Sequence, residues 1–302
     1  MFKNKKPRTG KLEIAEEEEE ESMEMVGRKP VIVRQVFADG LEGEFALIRS
    51  AIPMFRFVSM DTEFPGTIFK QSKQLIQQGN SAVNYDYLKA NVDALEPIQL
   101  GLTLSDSQGN LPDFGTPFSY VWEFNFNGFD VDEDPCDLDS VDLLKRQGID
   151  FVKNKAEGID SMDFATSMWR SGLLYNGGLT WITFHGAYDF GFLMKILTQQ
   201  PLPHDCYSFM QQILRIFGDN VFDLKHTFKY LGMFGGLEKM AGMLNLRRRA
   251  GSNHQAGSDC LLTLDCFMVL KKSRVFQRNP NPRILPALAL YGLVSVLGSE
   301  FY

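Results

Sequence analysis

Residues 55–63 read Phe-Arg-Phe-Val-Ser-Met-Asp-Thr-Glu, an apolar run that ends on two acids and is stopped by Pro65-Gly66. No other segment constrains the chain as tightly. The apolar part has to be buried as a strand, and alternate residues of a strand share a face, so Asp61 and Glu63 project together at the rim of a buried layer. Two carboxylates placed there repel each other and are costly to desolvate. A divalent cation resolves both problems. Taken alone, Asp-x-Glu is better explained as two solvated acids at a strand end, so the rest of the chain has to decide.

Around this run the hydrophobic pattern predicts an α/β fold. Leu41, Phe45, Ile48 and Ile52 recur at helical spacing, which predicts a helix over 41–52 ending before Pro53. Residues 85–95 read as a helix, and 98–104 and 120–126 as strands, the second alternating Val121, Glu123 and Asn125 against Trp122, Phe124 and Phe126. Helices are expected near 139–147 and over 162–174. A short strand at 180–184 leads into a helix over 189–197. Further helices are expected over 207–217, 224–231, 237–244 and 258–276. Strands early and helices late, with some mixing, predict a central sheet surrounded by helices.

At 302 residues the chain can hold one large domain or two small ones, and a single core is plausible. We divide the chain into a charged tail (1–28), a catalytic domain (29–278) and a C-terminal tail (279–302). The first segment carries Lys3, Lys5, Lys6 and Arg8 ahead of the unbroken glutamate run 16–21, which argues for disorder. A solvated tail is the simplest account of its basic cluster; a nuclear-import signal is the other. The net charge of −7 excludes strong nucleic-acid binding by bulk charge, so any RNA handling has to be local. Cys136, Cys206, Cys260 and Cys266 show no C-x-x-C spacing, so neither a zinc ribbon nor a redox motif is indicated. The longest apolar run, 284–297, is shorter than the ~20 residues a membrane span needs, and we expect it to dock on the domain. The expected location is intracellular, with reduced thiols.

Three further residues join the first pair. Asp189 follows the strand at 180–184 and starts a helix, where an acid is commonly placed for the helix dipole. Asp259 also opens a helix, and the same account serves it alone. His254 lies five residues earlier in the glycine-containing loop 250–257. A loop histidine that titrates near neutrality and swings toward a water is suited to general-base work. Together, a strand-borne Asp-x-Glu, an Asp at a strand-to-helix turn and His-x-x-x-x-Asp at a late helix form the DEDD exonuclease pattern. That chemistry uses two Mg²⁺ or Mn²⁺ ions ~4 Å apart, and hard ions of this kind prefer carboxylate oxygens.

The flanking residues make the pattern specific. Asp61-Thr-Glu-Phe-Pro-Gly66, Ile98-Gln-Leu-Gly-Leu-Thr103, Trp122-Glu-Phe-Asn-Phe126, Tyr188-Asp-Phe-Gly-Phe192 and His254-Gln-Ala-Gly-Ser-Asp-Cys-Leu-Leu-Thr263 stand in one order along the chain. They resemble the Ccr-four-associated factor (Caf-one/Pop-two) family, the deadenylase subunits of the Ccr–Not complex. The resemblance runs from about residue 30 to about 278, with a weaker echo at Leu290-Tyr-Gly-Leu293. It implies a ribonuclease H-like fold and a 3′→5′ exoribonuclease that releases AMP from the 3′ end of poly(A). It implies Asp61, Glu63, Asp189 and Asp259 as ligands of two divalent ions (Mg²⁺ or Mn²⁺) and His254 as general base. It also implies the Not scaffold and a Ccr-type nuclease as partners, a role in mRNA decay, and a nuclear and cytoplasmic location. The chain departs from the pattern at Gly186-Ala187, where serine-glycine is expected, and in the glutamine-rich segment 71–79.

Other residues carry less. His185 is expected to be a core or supporting histidine, and His204 and His226 have no constellation around them. Arg247, Arg248 and Arg249 are expected on a solvated face, with an RNA phosphate contact by one or more of them as the sharper reading. Two rival functions stay open at this level. One is a non-catalytic adaptor that keeps the fold; the other is a DEDD exonuclease acting on DNA or on other RNAs.

Overall fold

The computed structural model describes residues 29–72, 74–75, 79–273 and 288–293. The charged tail, residues 73 and 76–78 of the glutamine-rich segment, and 274–287 and 294–302 lie outside them.

Six strands form one mixed sheet in the order β1-β4-β3-β2-β5-β6. They are β1 (Val31–Val36), β2 (Phe57–Glu63), β3 (Gln99–Ser105), β4 (Ser119–Asn125), β5 (Thr180–Thr183) and β6 (Val221–Asp223). β2 pairs antiparallel with β3, Asp61 opposite Gly101 and Glu63 opposite Gln99, and β3 pairs antiparallel with β4. β1 runs parallel to β4, while β5 runs parallel to both β2 and β6. Three parallel strands therefore end at one edge of the sheet. The carboxyl ends of such strands, where the connections to helices begin, are where α/β folds build sites. This is the ribonuclease H-like α/β architecture expected from the sequence.

The helices are α1 (Leu41–Ala51), α2 (Ser81–Ala94), α3 (Leu138–Arg146), α4 (Phe151–Glu157), α5 (Ser161–Trp169), α6 (Ala187–Thr198), α7 (Cys206–Phe217), α8 (Leu224–Tyr230), α9 (Leu237–Met243) and α10 (Ala256–Lys272). Asn80, Asp137, Asp150, Asp160, Asp205 and Asp223 cap six of them through side-chain oxygens. The helix expected over 162–174 stops at Trp169, because the chain turns through Gly172 at φ 82°. β1, β6 and α4 were not foreseen. β1 interrupts its valines with Arg34 and Gln35, and β6 has only three residues.

β3 and β4 are buried along their whole length because both sheet faces are covered. One core packs Phe45, Phe124 and Phe164 with residues of α2, α6 and α7, a second joins Val121 and Ile182 to α8, α9 and α10, and a smaller third joins Ile98 to α3 and α4. The last described segment packs on the sheet edge. The Leu288 N–H donates to Val221 O at 3.0 Å, Asn84 Nδ2 donates to Gly292 O at 2.9 Å, and Leu288 and Leu290 are buried. Among the described residues no helix is long and apolar enough to cross a membrane.

Candidate active site

Asp61 and Glu63 stand on one face at the end of β2, Asp61 half-buried and Glu63 buried. Beyond β5 the chain turns through His185 into α6, whose first turn carries buried Asp189. Asp189 Oδ1 accepts from the Thr62 N–H at 2.9 Å and from the Thr62 hydroxyl at 2.6 Å. A residue of the motif's middle position, named for no chemistry, thus ties α6 to β2. α10 crosses beneath β2 and β3 and brings Asp259, also in its first turn. Gly101 permits that crossing: a Cβ there would stand 1.9 Å from Ala256 O.

The loop before α10 holds His254 at φ 57°, a left-handed conformation uncommon outside glycine. This kink turns the His254 N–H toward Asp259 Oδ2, 3.1 Å away. Glu63, His254 and Asp259 each offer one ligand-capable atom within 4.8 Å of the others. All five residues singled out in the sequence therefore meet at one place, drawn from three distant parts of the chain.

Electrostatics there are strained. Burial holds the Asp61 carboxyl well above the usual range, and repulsion from Asp189, Asp259 and Glu63 adds to it. Burial, then Asp259 and Asp189, does the same to Glu63. Asp189 is pushed up to about 7, by burial first and by Asp223 and Asp259 after it, against the two Thr62 hydrogen bonds. Burial raises Asp259 despite its pairing with Arg248. Four crowded carboxylates with one imidazole fit hard divalent cations, which would replace repulsion with attraction.

The arginine run corrects one expectation. Only Arg247 is exposed. Arg248 pairs with Asp259 at 2.5 Å and with Glu238, and donates to Ser258 Oγ at 2.6 Å. Arg249 forks onto Asp265 at 2.7 and 2.8 Å. A solvated face does not describe these two, because buried carboxylates of α10 and Glu238 of α9 draw their guanidinium groups inward. Glu123 was also undervalued. It is buried in β4, its Oε2 accepts from the Gly257 N–H at 2.8 Å, and its Oε1 accepts from Gln35 and Gln99. The signal was an acid flanked by Trp122 and Phe124 within a strand, a place that demands donors. His185 stands exposed beside the site rather than in the core, where it was expected, because its backbone N–H is held at the turn by Asp223 Oδ1, 2.8 Å away. At the departure from the family pattern, a Cβ on Gly186 would stand 2.0 Å from Thr183 Oγ1, so the Thr183 side chain occupies the room a larger residue would need.

Comparison with known proteins finds relatives over most of the chain. Residues 36–166 match the model of the CAF1 family ribonucleases. The probable CCR4-associated factor 1 homolog 7 of Arabidopsis thaliana is 45% identical over 243 residues, 80% of this chain and 87% of that protein. The poly(A) ribonuclease pop2 of Schizosaccharomyces pombe is 40% identical over 264 residues, 87% of this chain and 75% of that protein. A solved structure of S. pombe Pop2p in its Mg²⁺- and Mn²⁺-bound form superposes with a TM-score of 0.77 at 39% identity, covering 87% of this chain and 100% of that one. Yeast CAF1, co-crystallized with the NOT1 MIF4G domain, gives a TM-score of 0.69 at 32% identity over 86% of this chain and 96% of that one. On this identity over most of its length, the chain belongs to the CAF1 family of ribonucleases.

Proposed function

We propose that this ribonuclease shortens poly(A) from the 3′ end, releasing AMP, with Asp61, Glu63, Asp189 and Asp259 holding two divalent cations. The observation that carries the reading is the convergence of four carboxylates and His254 at the carboxyl ends of β2 and β5. The relatives support its finer parts: one is named a poly(A) ribonuclease, and its solved structure holds Mg²⁺ and Mn²⁺. When bound, the ions supply Lewis-acid charge to the phosphate oxygens on which negative charge builds.

The chain's own residues do the rest. His254, on its kinked loop, takes a proton from the attacking water, whose oxygen bonds to phosphorus. The bond from phosphorus to the 3′ oxygen breaks, and that oxygen leaves with a proton on the shortened strand. Arg248 holds Asp259 in place, and Thr62 holds Asp189. His254 also lies close enough to Glu63 and Asp259 to serve as a ligand; its role as base rests on the family pattern.

The pairing of yeast CAF1 with NOT1, and the naming of the Arabidopsis relative for CCR4, support assembly with a Not scaffold and a Ccr-type nuclease in mRNA decay. The basic cluster of the N-terminal tail supports a nuclear as well as a cytoplasmic location. The test is incubation of labelled RNA ending in 3′-oligo(A) with Mg²⁺, beside matching DNA and oligo(U) RNA. Release of AMP from oligo(A) is the expected result. Equal rates on DNA would replace the reading with a general exonuclease, and no hydrolysis of any substrate would favour the adaptor.

A further inference from the structure

A second feature stands at the same sheet edge, one strand beyond the acids. β6 ends at Asp223 and passes directly into α8, which carries Lys225 and Lys229. Between α8, α9 and the end of β5 lies a cavity of about 290 Å³, walled by Phe184, Phe228, Phe234 and Tyr291 and rimmed by both lysines. Phe234 is 65% exposed, so an apolar ring faces open space there. The C-terminal segment builds one wall. Tyr291 is anchored by its N–H to Asp223 Oδ2 at 2.8 Å, and its ring meets His185 edge-on at 5.1 Å.

The cations of this cavity, Lys225 and Lys229, lack ion-pair partners among the described residues. Lys225 Nζ instead lies 3.3 Å from His185 Nδ1 and 5.2 Å from the Tyr291 ring, and Lys229 Nζ lies 5.7 Å from that ring. Lys225 is half-buried, so its charge is poorly matched by its neighbours. In a chain with a net charge of −7, two ammonium groups without an ion-pair partner, over aromatic rings and beside an acidic cluster, select an anion with a flat apolar part.

The cavity also touches the site on two sides. Phe184 and His185 begin the turn that carries Asp189, and Asp223 Oδ1 and Oδ2 accept from the N–H groups of His185 and Gly186. On the far side, Met240 of α9 lines the cavity, and Glu238 of the same helix pairs with Arg248, which pairs with Asp259.

We propose that this cavity is an RNA subsite that holds a nucleotide next to the one being removed, with Lys225 and Lys229 on its phosphate and the aromatic wall against its base. The inference rests on the reading of the chain as a ribonuclease acting on a single strand. Base stacking on aromatic side chains combined with lysine contacts to phosphate is the usual chemistry of single-strand grooves. It gives an acidic protein the local positive charge that its composition withholds.

The test separates binding from turnover. Affinity for fluorescent oligo(A) is measured by anisotropy over a range of salt, and hydrolysis of the same RNA is followed separately. The variants are Lys229→Ala, Lys225→Met, Phe234→Ala and the charge-conserving Lys229→Arg. Lys229 and Phe234 are exposed, so their loss leaves the fold intact. Lys229→Ala is expected to weaken binding about tenfold, the effect of one charge-assisted contact. It is also expected to flatten the slope of log affinity against log salt by about 0.7. Lys229→Arg is expected to keep that slope, while Phe234→Ala lowers affinity at unchanged slope. Affinity and slope unaltered in all four variants, the outcome if the cavity serves an acidic protein segment instead, would overturn the subsite. Failure of the wild-type protein to hydrolyse oligo(A) would sink the reading of function, and the binding data would still decide the cavity.

Discussion

Asp189 shows how one residue couples folding to function. Burial raises its carboxyl to about 7 against an ordinary value near 4, so the folded protein binds a proton there that the unfolded chain has released. By linkage, its contribution to stability is full below the unfolded value and is lost as pH rises through about 7. In protein stripped of divalent ions, Asp189→Asn keeps an oxygen for Thr62 and removes the charge. We predict a gain in melting temperature at pH 8 and a smaller gain at pH 5. An equal change at both values would show that Asp189 ionises normally. His254 is tested by pairing two readouts, calorimetric metal affinity and turnover on oligo(A). General-base catalysis typically contributes ~10²–10⁴-fold, so His254→Ala is predicted to lose turnover on that scale while retaining metal affinity. Collapse of both would make His254 a ligand.

Among the elements, the close passage of α10 under β3 is the joint on which the site depends. Gly101→Ala places a methyl against the Ala256 carbonyl, and the neighbouring atoms are backbone that cannot turn aside. Overpacking of this kind typically costs ~1–3 kcal/mol, and here the shift is transmitted to His254 and Asp259. We predict a lower melting temperature together with a large loss of turnover. Gly43 in α1 is the contrasting case, with open space around it. Gly43→Ala is predicted to stabilise by ~0.5–1 kcal/mol, as for any interior helical glycine, at unchanged activity. These elements also show what could be read from sequence. The helix at 41–52 and the strand ending at Glu63 announced themselves by period and by breakers. β1 and β6 did not, because an edge strand with Arg34 and Gln35, or one of three residues, carries too little alternation. The five proposed site residues stood out as a set because their spacing and flanks occur together, and the fold brings them to one place. Arg248 and Glu123 were not, because their roles lie in contacts between α9, α10 and β4 that no local pattern encodes.

Across the whole molecule, an acidic chain gathers four carboxylates at one sheet edge and sets Lys225 and Lys229 beside them. The fold makes this possible by ending β2, β5 and β6 together, so residues far apart in sequence share one rim. Catalysis and positive charge are then local properties, as the net charge of −7 requires. The account stands or falls on whether this rim removes nucleotides one at a time from a 3′ end. The most direct measurement is a time course with 5′-labelled oligo(A) and Mg²⁺, using wild-type protein and Asp61→Ala in parallel. The predicted result is a ladder shortened in single-nucleotide steps from the 3′ end, with AMP as product, and an intact substrate with folded Asp61→Ala. Internal cuts by the wild type, or an undiminished ladder from Asp61→Ala, would contradict it.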